Sequence, residues 1–244
     1  MNMRDMLGGF IRRIRNFLLE SFGSYQQKMP YVLMVAFALI VVIGGINLFI
    51  ELTATLQTDT LADYDHRITQ YIIAHRNPAL TAYFKFVTEV GDLHGYLIVL
   101  GISILLTALV IKKWKYIAQI ALVLLLATLS NVMLKRFIDR ARPGIEHLVV
   151  VKTLSYPSGH AMSAMAFYGF LIYLVYRIKM NTILKWSLYV FLVLFILSIG
   201  ISRIYLGVHF PSDIAGGFIA GLIWVIFCIL IFNLIDVFRK DPVT

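Results

Sequence analysis

Residues 202–236 read SRIYLGVHFPSDIAGGFIAGLIWVIFCILIFNLID, and this stretch decides the fold. From Ile214 to Ile235 it carries no charged side chain. A helix of about 20 apolar residues is long enough to cross the hydrocarbon core of a bilayer. The part before this run holds Arg203, His209 and Asp213. Charged groups beside a membrane segment are costly and mark a functional site. The stretch therefore predicts a membrane helix with chemically active residues at its start.

The composition extends this prediction to the whole chain of 244 residues. It is 60% apolar with a mean hydropathy of +0.83, whereas soluble domains average about 45–50% apolar. The length allows one domain. A net charge of +9 could indicate nucleic-acid binding, but the basic residues flank hydrophobic runs and form no exposed basic face. The single cysteine, Cys228, lies in an apolar run and can form no internal disulfide.

The hydropathy pattern predicts an all-α polytopic membrane bundle with six transmembrane helices. The predicted spans are 31–50, 94–111, 116–135, 160–178, 186–205 and 213–236. They make up one predicted domain, 31–240. Residues 1–30 alternate arginines with Phe10, Ile11, Ile14, Phe17 and Leu18, which is typical of a basic amphipathic helix on an anionic membrane surface. A basic tail that only sets topology fits equally well. Residues 51–93 predict one or two short interfacial helices.

The distribution of basic residues predicts the orientation. Lys and Arg are enriched on the cytoplasmic side of membrane proteins. The side that carries both termini holds 13 of the 22 basic residues, so both termini are expected in the cytoplasm. With six spans, three motifs described next all fall on the extracytoplasmic face, and so do all six histidines.

The first motif, KRFIDRARP (135–143), places Lys135 and Arg142 seven positions apart at the predicted end of the third span. The residue before a proline is pushed out of helix, so Arg142 can fold back toward Lys135. A guanidinium offers a planar fork for phosphate oxygens, and an ammonium offers a mobile point charge. This pair is predicted to bind phosphate. Arg136 and Arg140 fit that role and a simple extension to lipid headgroups equally well.

The second motif, YPSGH (156–160), predicts an anion site at the start of the fourth span. Pro157 suits the first helical position, which would put Ser158, Gly159 and His160 in the first turn. Backbone N–H groups of a first turn are unpaired and attract anions. Gly159 lets an anion approach closely, Ser158 adds a hydroxyl donor, and His160 can protonate a departing oxygen.

The third motif, SRIYLGVHFPSD (202–213), combines a histidine with a carboxylate four residues later. Asp213 can accept a hydrogen bond from one ring nitrogen of His209, which aims the other nitrogen at a substrate. The helix N-terminus disfavours the charged imidazolium. Arg203 adds a third cation to Lys135 and Arg142. These cations argue against the main chemical alternative, a metal site, because they would repel a divalent ion.

Taken together, the motifs resemble those of the type 2 phosphatidic acid phosphatase superfamily, whose pattern is K-x6-RP, then PSGH, then SR-x5-H-x3-D. That family includes lipid phosphate phosphatases, glucose-6-phosphatases and vanadium-dependent haloperoxidases. The matching core covers about residues 94–236, and no motif position departs from the pattern. The matches are Lys135, Arg142, Pro143, Pro157, Ser158, Gly159, His160, Ser202, Arg203, His209 and Asp213.

The resemblance implies a phosphatase that needs no metal or other cofactor. His209 would form a phosphohistidine, Asp213 would orient it, and His160 would protonate the leaving group and then activate water. Lys135, Arg142, Ser158, Gly159 and Arg203 would bind the phosphoryl oxygens. The expected partner is a lipid phosphate or diphosphate in the cell membrane, such as undecaprenyl pyrophosphate, phosphatidylglycerolphosphate or phosphatidic acid.

Several alternatives stay open at this point. The phosphoryl group could pass to an alcohol acceptor, as in a lipid phosphotransferase. Vanadate in the same cradle would give haloperoxidase chemistry, against which six spans count, and a non-catalytic lipid-phosphate binder is a further class. Glu146 and His147 are the nearest polar candidates for headgroup contacts. Gly217 and Gly221 could pack the bundle or a dimer, and the oligomeric state is open.

Overall fold

The fold is all-helical over residues 29–111, 114–151 and 153–240, which a computed structural model describes. This part of the chain contains no β-strand. A π-helical turn, Thr107–Ile111, extends the fourth helix. The helices are α1 (Met29–Ala54), α2 (Asp59–Ala74), α3 (Pro78–Val90), α4 (Leu93–Leu106), α5 (Lys115–Ile138), α6 (Gly159–Arg177), α7 (Thr182–Tyr205) and α8 (Pro211–Lys240). The amphipathic helix predicted for residues 1–30 lies outside the described residues, except for the two that begin α1.

Five of these helices are long and apolar enough to cross a membrane, namely α1, α5, α6, α7 and α8. Helices α3 and α4 meet at a bend of 62° and bring the number to six if the pair forms one span. Many apolar side chains on the outside are exposed, for example Val190 (56%) and Leu194 (57%) on α7. This is the surface that a bilayer would cover. The membrane bundle is therefore confirmed, and the count of six stays a prediction.

The two short helices expected in residues 51–93 are present as α2 and α3. Thr58 caps α2 by accepting the N–H of Leu61. Asn77 caps α3 by accepting the N–H of Leu80, and Pro78 follows it at the first helical position. Asn and Thr are favoured caps because their side chains pair N–H groups that the helix leaves open. Both helices contact α7, and α2 also contacts α8.

Helix α6 lies at the centre of the bundle and packs against α5, α7 and α8. Phe167 and Phe170 are fully buried there. Gly217 and Gly221 of α8 face α6 directly. A Cβ on Gly221 would lie 2.5 Å from the carbonyl oxygen of Met162. The glycine pair thus has a packing role inside the bundle, because only glycine permits so close an approach of the two helices.

The chain forms two compact units, with the boundary after Ile40. The unit that begins at Val41 contains every site residue. In it, the C-terminal ends of α5 and α7 and the N-terminal ends of α6 and α8 come together. Each of the three sequence motifs lies at one of these ends. The fold therefore gathers the charged segments at one end of an apolar bundle.

Candidate active site

A cavity of about 620 Å³ opens between these helix ends. Six of the eight predicted site residues line it: Lys135, Arg142, Gly159, His160, Arg203 and His209. Ser158 and Asp213 are fully buried and lie behind the cavity wall. Two further segments, 85–92 and 148–153, also line the cavity, through Lys85, Thr88, Glu89, Asp92, Leu148, Val149, Val150, Val151 and Thr153. Glu146 and His147 are not among its lining residues.

The loop between α7 and α8 holds His209 by folding back on the end of α7. The backbone N–H groups of Val208 and His209 both donate to the carbonyl oxygen of Arg203, at 3.1 and 3.2 Å. Gly207 makes the turn possible with φ at +82°, and a Cβ there would lie 2.5 Å from the carbonyl oxygen of Glu146. Only glycine adopts this conformation without strain. His209 is therefore fixed through its backbone as well as its ring.

The His209 ring is oriented by a different partner at each nitrogen. Nδ1 lies 3.2 Å from Oδ2 of Asp213, and Nε2 lies 3.2 Å from Nη1 of Arg142. A guanidinium can only donate, so Nε2 accepts and Nδ1 carries the proton toward the carboxylate. The ring is only 2% exposed, and this burial lowers the pKa of His209 to about 3. A neutral ring with a lone pair on Nε2 is the form a nucleophile requires.

This geometry predicts the protonation behaviour of His209. Because burial puts its pKa in the folded protein at about 3, below the usual 6.5, the ring stays neutral as the pH falls from 8 to 5. Nitrogen-15 NMR of histidine-labelled protein measures this, with His209→Asn identifying the signals. We expect the shifts of an Nδ1–H tautomer throughout that range. A titration with its midpoint near 6.5 would contradict the buried, neutral ring.

Asp213 accepts more hydrogen bonds than the sequence suggested. Oδ2 accepts from the Ser155 hydroxyl at 2.5 Å and from the Phe210 N–H at 2.8 Å, in addition to His209. Oδ1 accepts from Arg140 at 2.6 Å. Several donors stabilise a buried carboxylate in its charged form. Asp213 is thus held rigidly beside His209, by two side chains that sequence reasoning did not assign to it, Ser155 and Arg140.

Lys135 and Arg142 both donate hydrogen bonds to carbonyl oxygens of the segment 153–154. The Lys135 ammonium donates to the carbonyl oxygen of Leu154 at 2.5 Å. Arg142 donates through Nε to the carbonyl oxygen of Thr153 at 2.7 Å. It also donates through Nη1 to the carbonyl oxygen of Val208 at 2.5 Å. Carbonyl oxygens orient these cations without cancelling their charge, so the cavity keeps a positive potential suited to an anion.

Arg203 completes the cationic wall from the end of α7. It is 4% exposed, and its Nη1 donates to the Thr88 hydroxyl at 2.6 Å. Its buried Nε–H has no acceptor among the residues that the structure describes. An unpaired donor of a buried guanidinium fits an anionic oxygen in the cavity.

The start of α6 differs in one respect from the sequence prediction. The helix begins at Gly159, and Ser158 is its N-cap, so Pro157 precedes the helix and does not open it. The Ser158 hydroxyl accepts from the Ala161 N–H at 3.4 Å, and the Ser158 N–H donates to the carbonyl oxygen of Asp213 at 3.0 Å. A capping serine is the common choice here. The hydroxyl is therefore engaged in the protein and does not line the cavity.

Gly159 and His160 do reach the cavity. Asn131 holds the preceding turn by donating to the carbonyl oxygen of Pro157 at 3.1 Å. Nε2 of His160 lies 3.0 Å from Oδ1 of Asp92, although the ring N–H is not aligned for a hydrogen bond. Asp92, just before α4, is thus a further acidic group at the site. Its sequence context carried no motif that could have identified it.

The described residues contain no group of three or more His, Cys, Asp or Glu side chains that could hold a metal ion. Over the described part of the chain, the close His–carboxylate pairs are His209 with Asp213 and His160 with Asp92. Each of these rings is also near a cation in the wall of the cavity. The cluster is therefore a cationic anion cradle with two histidines at its edge.

Comparison with known proteins identifies the same family as the motifs. The model of the PAP2 superfamily matches residues 116–235. Phosphatidylglycerophosphatase B of Bacillus subtilis is 31% identical over 179 residues, covering 72% of this chain and 86% of the relative. The crystal structure of a transmembrane PAP2 type phosphatidylglycerolphosphate phosphatase from Bacillus subtilis superposes with a TM-score of 0.73 at 28% identity. It covers 83% of this chain and 98% of that one.

A more distant structure supports the fold alone. Aquifex aeolicus LpxE superposes with a TM-score of 0.55 at 24% identity, over 67% of this chain and 93% of its own. The family model begins within α5. Asp65, Thr88 and Asp92, on or next to α2 and α3, therefore lie outside the matched region, although the structure brings each of them to the candidate site.

Proposed function

The chain belongs to the PAP2 superfamily, its phosphatidylglycerophosphatase relatives support a lipid phosphatase of the membrane, and we propose that it removes phosphate from lipid phosphates or diphosphates through a phosphohistidine on His209. The observation that carries this proposal is the placement of the His209 ring, with Nε2 3.2 Å from Arg142 at the wall of cations and Nδ1 3.2 Å from Asp213. Phosphatidylglycerolphosphate is the first candidate substrate, because the Bacillus subtilis relative is a phosphatidylglycerophosphatase. Undecaprenyl pyrophosphate and phosphatidic acid are the other candidates.

In the first step, Nε2 of His209 attacks phosphorus and the bond to the leaving oxygen breaks. The ring then carries the phosphoryl group on Nε2 and the proton on Nδ1, and Asp213 stabilises the positive charge of the ring. His160 donates its proton to the departing oxygen. Lys135, Arg142 and Arg203 would hold the phosphoryl oxygens, with the N–H groups at the start of α6. Phosphoryl transfer depends mainly on such positioning and charge stabilisation.

In the second step, the neutral His160 takes a proton from water, and the oxygen of that water attacks phosphorus. The bond from Nε2 to phosphorus breaks, phosphate leaves, and His209 regains its lone pair. His160 is again protonated for the next turnover. A role for Ser158 as a direct phosphate ligand stays part of the proposal, and it would require the buried hydroxyl to become accessible from the cavity, which it does not line in this structure.

We propose six spans, with both termini in the cytoplasm and the cavity at the outer leaflet. The second span differs from the predicted 94–111, because α3, expected as an interfacial helix, joins α4 in one bent span. Residues 1–30 would then lie on the cytoplasmic membrane surface. Single cysteines introduced into a Cys228→Ser background test this, using a thiol reagent that does not cross membranes. Glu146→Cys should react in intact cells and Lys179→Cys should not. The reverse pattern would contradict the orientation.

Phosphate release from a panel of lipids in detergent tests the activity itself. Wild type and His209→Asn are compared on phosphatidylglycerolphosphate, undecaprenyl pyrophosphate and phosphatidic acid, each with and without EDTA. We expect release by wild type only, and the relative kcat/KM values identify the preferred lipid. Loss of wild-type activity on adding EDTA would contradict a metal-independent mechanism. Adding a lipid alcohol and measuring its phosphorylation separates hydrolysis from phosphotransfer.

A further inference from the structure

Helix α2 brings one buried carboxylate to the back of the candidate site. Asp65 is 2% exposed, whereas α2 is otherwise largely exposed, with Thr69 as its other buried residue. Two residues away, Asp63 forms an ion pair with Arg67 at 2.6 Å, and both side chains are more than half exposed. Burying a charge is costly unless it is paired. The burial of Asp65 therefore requires specific partners.

Those partners are the start of α8 and Arg140. The Ser212 N–H donates to Oδ1 of Asp65 at 2.9 Å, and the Ser212 hydroxyl donates to Oδ2 at 2.5 Å. Arg140 Nη2 donates to the same Oδ2 at 2.8 Å. Asp65 thus acts as an N-terminal cap for α8 supplied by another helix. The capped residue, Ser212, is the neighbour of Asp213.

Arg140 links this carboxylate to the one beside His209. Its Nη1 donates to Oδ1 of Asp213 at 2.6 Å, and its Nη2 donates to Asp65. The guanidinium also lies over the Phe210 ring, with Cζ 4.6 Å from the ring centroid. The side chain is 14% exposed, so it points into the protein and does not extend to lipid headgroups.

We propose that Asp65 and Arg140 are positioning residues for the reaction, forming with Asp213 a carboxylate–guanidinium–carboxylate chain that fixes the orientation of His209. The inference rests on the proposed function, because it assigns a purpose to holding that ring. Neither residue lines the cationic cavity, so neither contacts the substrate phosphate. Their effect passes through Asp213.

Asp65 and Arg140 can affect His209 because the two carboxylate oxygens of Asp213 have different partners. Its Oδ2 accepts from Ser155, Phe210 and His209, and its Oδ1 is held by Arg140. Without Arg140, a buried negative charge loses its cation, and the carboxylate can turn about its own axis. A misdirected carboxylate no longer selects the Nδ1–H tautomer, and the Nε2 lone pair is lost to the substrate.

The variants Asp65→Asn and Arg140→Ala test the proposal, with Asp63→Asn as the matched control on the same helix. Removing the outer hydrogen-bond partner of a metal-ligating side chain lowers metal affinity or activity by about 10- to 100-fold, and Asp213 depends on its outer partner in a comparable way. We expect a fall of that size in kcat for both variants, with KM within about twofold of wild type. Asp63→Asn should match wild type. Measurements well below the melting temperature of each variant separate positioning from unfolding.

A small cavity beside the guanidinium offers a second readout. It measures about 340 Å³ and is lined by Asp65, Arg140 and Phe210, together with Ala62, Asp63 and His66. Guanidinium ion added at non-denaturing concentration can enter it and replace the missing group of Arg140→Ala. We expect kcat of that variant to rise at least about fivefold, which is well within the predicted loss, relative to sodium chloride at equal ionic strength. A merely structural role predicts no such rescue.

The outcomes separate this inference from the proposed function. If His209→Asn is inactive while Asp65→Asn and Arg140→Ala keep wild-type kcat, the positioning role is wrong and the phosphatase proposal stands. If His209→Asn is as active as wild type, the proposed function fails first. Should Asp65→Asn not fold, the guanidinium rescue of Arg140→Ala decides. A kcat of Arg140→Ala that guanidinium does not raise overturns the inference.

Discussion

Replacing His209 by asparagine should lower kcat/KM for lipid phosphate hydrolysis by at least about 10⁴-fold, the order seen when a covalent nucleophile is removed. Asparagine can keep the hydrogen bond to Asp213 that Nδ1 makes at 3.2 Å, but it has no ring nitrogen with a lone pair toward the cavity. The loss therefore reports the nucleophile and not the fold. Phosphate release is measured in detergent with saturating and subsaturating lipid.

His147→Asn is the matched control for this variant. His147 lies in the loop between α5 and α6, where its Nε2 is 3.0 Å from the carbonyl oxygen of Pro143, and it does not line the cavity. We expect its kcat/KM to stay close to wild type. Activity of His209→Asn within about tenfold of wild type would rule out His209 as the nucleophile, because general acid–base help alone accounts for larger effects than that.

Replacing His160 by asparagine should lower kcat/KM by about 10²–10⁴-fold when the leaving group is an alkyl alcohol. An alkoxide is a poor leaving group and needs the proton that His160 supplies. A nitrophenolate leaves without a proton, so an alkyl-chain nitrophenyl phosphate should lose much less activity with the same variant. The ratio of the two kcat/KM values is the measured quantity.

kcat/KM is the right constant here because it reports the steps up to the first irreversible one, which is transfer to His209. The second step, in which His160 activates water, affects kcat. An equal loss on both substrates would mean that His160 binds or orients the phosphate and does not donate a proton. His147→Asn again serves as the control and should leave the ratio unchanged.

The architecture could be predicted from the sequence because it follows from long apolar runs. The predicted spans 116–135 and 160–178 correspond to α5 (Lys115–Ile138) and α6 (Gly159–Arg177). The family, the lipid phosphatase activity and the membrane location were also predicted and are confirmed by the comparisons. The motifs carry enough chemistry to identify a phosphate cradle. The order of the three motifs along the chain identifies the family.

Details that depend on tertiary contacts could not be predicted in this way. The sequence left Arg140 undecided between phosphate and lipid headgroups. Its inward direction follows from a left-handed residue at Asp139 (φ 43°), which turns the chain after α5, and from the buried Asp65. Asp65 looks in the sequence like any carboxylate on a polar helix. Its burial is decided by where α2 docks, and no local pattern encodes that.

The start of α6 illustrates the same limit at one residue. A proline before a helix suits the first helical position, but a serine one residue later is an equally good cap. In the structure Ser158 takes the cap and its N–H is bound by Asp213 from α8. That contact between helices favours Ser158 as the N-cap over Pro157 as the first helical residue. It also places the Ser158 hydroxyl behind the cavity wall.

The central claim is that the phosphoryl group visits His209 before it reaches water, and the stereochemical course at phosphorus tests it most directly. A substrate with a phosphoryl group made chiral by oxygen isotopes and sulfur is hydrolysed, and the configuration of the product is determined. Each in-line displacement inverts phosphorus. Two displacements through phosphohistidine predict net retention, and inversion, from a single attack by water, would contradict the account.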